Sequence, residues 1–203
     1  MQFIKTYTPA DANLTGFASN VTGATFTLSA TTSGDSLAHQ VSIRNDSATD
    51  HSGKTVTLVG TDHLDRALTE VVTGPAGSAT VESSGYFLTL TSATPSATIG
   101  ADTFDIGWVD EFVTPAIALD WRSGIGSLEI VITGTINIDL DSSNSDLQNS
   151  TDSASWLVDT STNAGVTASK WITFNANPRF IRVKANSYSS GATVKLLYAQ
   201  SNV

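Results

Sequence analysis

Cysteine is absent from this 203-residue chain, and methionine occurs once. The missing thiols exclude a disulfide framework and thiolate metal centres, and they suit folding in a reducing cytoplasm. Charge is scarce: Asp, Glu, Lys and Arg make up 14% of the residues, against about 25% in an average soluble protein. Basic charge is scarcest. Ten Lys and Arg stand against nineteen Asp and Glu, for a net charge of −9. The basic residues are scattered, so the clustered footprint that neutralises phosphates is missing. No nucleic-acid partner is expected, and no anionic membrane surface for the same reason. No run approaches the ~20 apolar residues that span a bilayer. The opening MQFIKTYTPADANLTG lacks the apolar segment of a signal peptide, so no secretion signal is expected there.

Long helical periods are also missing. No segment of ten or more residues shows apolar residues at i, i+3, i+4 and i+7. Short helical turns are expected at most, at Ser145–Asn149 or Ala176–Arg179.

What remains is a period of two. Ala24–Ala30 (ATFTLSA) alternates Phe26 and Leu28 with threonines, and His39–Asn45 (HQVSIRN) alternates Val41 and Ile43 with polar neighbours. β-Branched residues at this spacing fit a pleated surface. Lys54–Gly60 and Ala67–Thr73 read as a hairpin around the insert Thr61–Arg66, and Gly74–Gly77 as a second turn. Strands are expected around Tyr86–Leu90 and at Thr103–Val109, and a short one at Phe3–Tyr7. Turn signals about every ten residues match a sandwich or barrel.

The clearest signal is LEIVITGTINIDL. Leu128, Ile130, Ile132, Ile136, Ile138 and Leu140 share one parity, interrupted only at Gly134. A single straight strand of this length would run ~40 Å. Gly134 therefore reads as a kink that lets one strand cross both sheets, with a tight turn at Thr133–Gly134 as the alternative. The end of the chain, NPRFIRVKANSYSSGATVKLLYAQSNV, reads as a closing hairpin.

The expected fold is all-β: two small antiparallel β-sandwich or jelly-roll-like modules with little helix. An irregular N-terminal arm is expected over residues 1–20, one domain over 21–112, and a second over 113–203.

Chemistry-bearing patterns are few. His39, His51 and His63 sit in or beside turns and read as solvated loop residues. No Gly-x-Ser-x-Gly elbow is present. GIGSLE (Gly124–Glu129) lacks the third glycine of a dinucleotide loop and enters a strand, so no helix N-terminus meets a pyrophosphate. In DLDSSNSD, Asp139, Asp141 and Asp146 could offer carboxylates to calcium. An EF-hand, however, places Gly where Asn144 stands and Glu where Ser150 stands. The bland reading is a polar loop making its own turns. Of the four tryptophans, Trp108 reads as core. Trp156, just after the polar loop, reads as exposed and as a glycan or interface residue. No cofactor and no catalytic residue is expected.

Two stretches resemble small virion proteins of tailed bacteriophages. KTVTLVGTDHLDRALTEVVTGPAGSATVESSGYFLTLTSATPSA resembles their amino-terminal half, in which a VTLTGTD hairpin and a VTGP turn precede a YF strand. TPAIALDWRSGIGSLEIVITGTINIDLDS, with the later PRFIRVKANSYSSGATVKLLYAQ, resembles a carboxy-terminal half in which IPLDWRQ precedes a long strand. The loop DLDSSNSD departs from the run expected after that strand. The resemblance implies a non-enzymatic capsid cement or decoration protein that bridges capsomers. It would be located in the virion, assembled in the host bacterial cytoplasm, with the major capsid protein and its own copies (a homotrimer) as partners. The alternative is a tail or head-fibre component that binds host surface glycans.

Overall fold

Polar and apolar residues, threonine and valine prominent among them, alternate along many stretches of this chain, and a backbone so decorated is most stable as a half-buried strand. The computed structural model describes residues 2–122, 125–147, 155–158, 163–175 and 177–200. It is all-β, and no helix occurs among the described residues. The strands are β1 (Gln2–Tyr7), β2 (Asn13–Val21), β3 (Ala38–Asn45), β4 (Thr55–Thr61), β5 (Ala67–Thr73), β6 (Thr80–Phe87), β7 (Thr89–Pro95) and β8 (Phe104–Val113). They continue with β9 (Ile117–Ala118), β10 (Gly126–Thr133), β11 (Ile136–Ser143), β12 (Leu157–Val158), β13 (Lys170–Phe174), β14 (Phe180–Tyr188) and β15 (Thr193–Gln200). The helical turns expected at Ser145–Asn149 and Ala176–Arg179 lie partly outside the described residues.

Two units form: Ala10–Phe112, and Met1–Pro9 together with Val113–Val203. In the first, β8, β3 and β6 lie side by side with β2 on β8, and β5, β4 and β7 form a three-stranded sheet. Val41 and Ile43 of β3 and Phe104 and Ile106 of β8 share one core with Val56 and Leu58 of β4 and Leu90 of β7. Each such side chain contributes roughly 1.5–3 kcal/mol by leaving water. The β4–β5 hairpin has the expected register, Thr55 opposite Thr73 through Thr61 opposite Ala67. Asp62 organises its turn by accepting from Leu64 N (2.8 Å) and Arg66 N (3.0 Å).

The second unit has a four-stranded sheet ordered β1–β15–β10–β13. Its other strands are β12, β11 and β14, with β9 paired to β14. Leu128, Ile130, Val194 and Leu196 point in from the four-stranded sheet, and Ile136, Ile138, Ile181 and Val183 are buried on the other strands. The long alternating stretch is the link between them. β10 pairs with β13 and β15, whereas β11 pairs with β12 and β14, so the chain changes sheet at Gly134 and the apolar parity survives.

Three expectations are corrected. The closing hairpin is not one, because β14 and β15 lie in different sheets and Ser189–Gly191 carries the chain between them. The alternation of the two segments is the same either way, so the pattern could not separate a hairpin from a crossing. Residues 1–20 are not an arm. β1 runs antiparallel along β15 from Gln2 opposite Ala199 to Tyr7 opposite Val194, and β2 buries Phe17 and Ala18. The short strand expected at Phe3–Tyr7 is present as β1, an edge strand that is largely exposed, whereas β2 has shifted register on β8 and a positive φ at Asn20, which hide its period. Ala24–Ala30 forms no strand. Phe26 is buried, but Ser29 N (2.8 Å) and Ala30 N (3.3 Å) both donate to the Phe17 carbonyl instead of entering a ladder.

Gly134 is required at the crossing. Its φ is +77°, and an added Cβ would stand 3.1 Å from Ala192 Cα. Gly191 also has positive φ (+76°), but faces open space. Gly134→Ala is expected to lower the unfolding free energy by about 2 kcal/mol and Gly191→Ala by about 1 kcal/mol. Urea titration of the two variants checks the difference.

Candidate functional site

An active site would be built from the buried ionisable residues. His39 and His51 are buried rather than solvated. His39 lies beside the rings of Trp108 and Phe112, and its Nε2 donates to Asp35 Oδ2 at 2.8 Å. Its Nδ1 is buried without a partner. Asp35 also accepts from Ala10 N (2.7 Å), Ser33 Oγ (2.6 Å) and Leu37 N (2.9 Å). Burial alone would raise the Asp35 pKa. The donors from His39, Ser33 and Ala10 outweigh it and hold the carboxyl at about 2.

His51 packs edge-on to Phe104 and bonds Asp102 Oδ2 through Nε2 at 2.9 Å, while its Nδ1 meets Lys54 Nζ at 3.0 Å. An ionised carboxylate only accepts, so the ring proton sits on Nε2 and Nδ1 receives the ammonium. Lys54 continues to the Thr98 carbonyl at 2.7 Å. Hydrogen bonds from Thr49, and then from His51 and Ser47, hold the Asp102 carboxyl below its usual range against the opposing effect of desolvation. His63 is partly buried.

Two further acids follow the same rule. Asp105 accepts from Asn20 N (2.9 Å) and faces Arg44 (3.1 Å). Glu70 accepts from Ser84 N (2.7 Å) and Gly85 N (2.8 Å). In every case the carboxylate closes a backbone position or holds a neighbouring side chain.

The three candidate calcium ligands do not converge. Asp139 Oδ1 accepts from Gly165 N at 2.8 Å, Asp141 Oδ2 pairs with Arg182 at 2.9 Å, and Asp146 stands 3.8 Å from Arg179. No group of three or more His, Cys, Asp or Glu residues able to hold a metal occurs among the described residues. The ladder explains part of this: β11 sets Asp139 opposite Lys184 and Asp141 opposite Arg182. A depression lined, among the described residues, by Ser142, Ser143, Asn144, Ser145, Ser155 and Leu157 offers hydroxyls and an amide.

Trp156 is partly covered rather than exposed. The Arg182 guanidinium lies over its ring at 4.2 Å, as a cation–π partner that also pairs with Asp141. The exposed tryptophans are Trp121 (52%) and Trp171 (68%), and Trp121 has Arg122 over its ring at 5.2 Å. Trp108 is buried, with Nε1 donating to the Asp11 carbonyl at 3.0 Å. Other large apolar residues are exposed on strands, notably Ile4 (59%) on β1 and Val71 (61%) on β5.

Charge is split between the units, a feature visible in the sequence once the boundary is known. Residues 10–112 hold 12 acidic and 3 basic residues, a net −9. The remainder holds 7 of each, a net of 0. The arrangement presents apolar side chains at exposed strand positions and ties Asp35, His39, His51, Asp102, Asp105 and Glu70 into contacts within the fold.

No family model matches the chain, and no curated protein matches it. Among solved structures it is similar to the major capsid protein P2 from bacteriophage PM2. The identity is 11% over 98% of this chain and 97% of that one, with a TM-score of 0.20. That score is below the level at which a shared fold follows.

The Asp35 cluster gives a pH test. A carboxyl held at about 2 in the folded chain, against 3.8 ordinarily, stabilises the fold above pH 4, and this stability is lost as pH falls to about 2. Asp35→Asn is expected to be less stable by about 1–2 kcal/mol at neutral pH. Thermal melts from pH 5 down to pH 2 should show the gap to the parent protein narrowing.

Proposed function

We propose that this protein is a non-enzymatic structural component of a phage particle, most specifically a capsid cement or decoration protein that bridges capsomers of the major capsid protein. One observation carries the reading. Asp35, His39, His51, Asp102 and Asp105 hold backbone or one another, whereas Ile4, Val71 and Trp171 are presented on open sheet faces. A molecule so arranged acts through the surface it covers. The resemblance of residues 54–97, 114–142 and 178–200 to virion proteins of tailed bacteriophages supports the same role.

The physical task would be to add buried area at many equivalent positions of a shell. A modest contact per copy becomes strong when several are engaged at once. The acidic 10–112 unit suits a capsid surface that is basic or neutral, since like charges face to face weaken binding.

The alternative role, in a tail or head fibre, draws on the exposed rings of Trp121 and Trp171, which could stack on a sugar.

Particles produced without this protein should release DNA at a lower temperature than complete particles, and added purified protein should restore the difference. Unchanged release with the protein absent from heads would overturn the cement reading. Binding on a glycan array, lost in Trp171→Ala, would favour the fibre role.

A further inference from the structure

The outer face of the four-stranded sheet can be read directly from its register. Ile4 stands opposite Leu197, Leu197 opposite Glu129, and Glu129 opposite Trp171. Directly paired residues point to the same side of a sheet. The neighbouring Leu196, Leu128 and Ile130 are buried, so this row lies on the side away from the core. It crosses all four strands, about 14 Å at the usual strand spacing. The next row holds Thr6, Lys195 and Val131. On the other side stand Gln2, Ala199, Ser127 and Thr173.

Glu129 and Lys195 are the only charged residues in these three rows, and they cancel. Among the described residues neither forms an ion pair. They are diagonal neighbours on β10 and β15, at a separation of about 7–8 Å. A two-fold axis lying in the plane of the face, midway between them, sets each carboxylate over the other copy's ammonium. The face is therefore complementary to itself.

Charge also selects the occupant. Two copies meeting through the 10–112 units bring −9 against −9, whereas the second unit is neutral and meets itself without net repulsion. We propose that this face, centred on Ile4, Leu197, Glu129 and Trp171, is where a second copy of the chain docks, as an isologous two-fold contact. Such a contact differs from the cyclic trimer expected from the sequence resemblance, and it does not depend on the virion role. Four strands of five to eight residues give a footprint of roughly 400 Å², about half of what a stable standard-size interface covers on each partner. The association is accordingly weak, with a dissociation constant on the order of micromolar to millimolar. It becomes significant where copies are already concentrated.

Sedimentation equilibrium of the full chain up to roughly millimolar concentration tests this. The parent protein should show a monomer–dimer equilibrium. Glu129→Lys and Lys195→Glu should each weaken it by about tenfold or more, because each places like charges in contact twice. The double exchange should restore it. Trp171→Glu should abolish it, and Val71→Glu, on the other unit, should leave it unchanged. Circular dichroism confirms that each variant is folded. Absence of dimer in the parent at the highest concentration would overturn the proposal. So would single reversals without effect, a double exchange that stays weak, or loss of the dimer in Val71→Glu.

Discussion

One crossing, made twice side by side, organises the Val113–Val203 half of the molecule. β10 passes into β11 at Gly134, and β14 passes into β15 at Ser189–Gly191. Because β10 pairs with β15 and β11 with β14, the four strands form a two-stranded ribbon bent at one corner. The corner is tied: Ser189 N donates to the Thr135 carbonyl at 2.9 Å, and Ala192 N to the Ser189 carbonyl at 3.1 Å. Had either chain turned back on itself, its apolar row would have stayed in one sheet with nothing to pack against. Folding the ribbon brings the two apolar rows into one core, which is how a jelly-roll-like unit is built from long hairpins.

The other half depends on polar side chains used internally. Asn45 donates to the Thr49 and Ala76 carbonyls and accepts from Ser47 N and Oγ, so one buried amide fixes a loop at four points. Asp35, Asp102, Asp105 and Glu70 do the same elsewhere with carboxylates. Each gives a partner to a backbone N–H or to a neighbouring side chain. Twelve acids against three bases therefore do not all repel at the surface, since several are held by donors within the fold.

Alternation made the class of fold legible, along with most strands: the β4–β5 hairpin, β3, and the kinked run through Gly134. Pairing was not legible, because period two says which side of a strand is wet and nothing about its neighbour. That is why β14 and β15 looked like a hairpin, and why the strand expected at Phe3–Tyr7 had no visible partner in β15. The Asp35–His39 pair had a local signal, an acid four residues before a histidine. The Asp102–His51 contact, 51 residues apart, had none. Trp156 was misjudged because its cover, Arg182, comes from β14, opposite Asp141 on β11. The outer face around Trp171 became visible only when β1, β15, β10 and β13 were placed in order.

The central claim is that this molecule works by covering surface at many equivalent positions. A low-resolution reconstruction of the complete particle, with the protein located by a bound antibody fragment, tests it most directly. The account predicts density repeated over the head lattice at symmetry-related sites between capsomers. Density confined to a single tail position, or none on the particle, would contradict it.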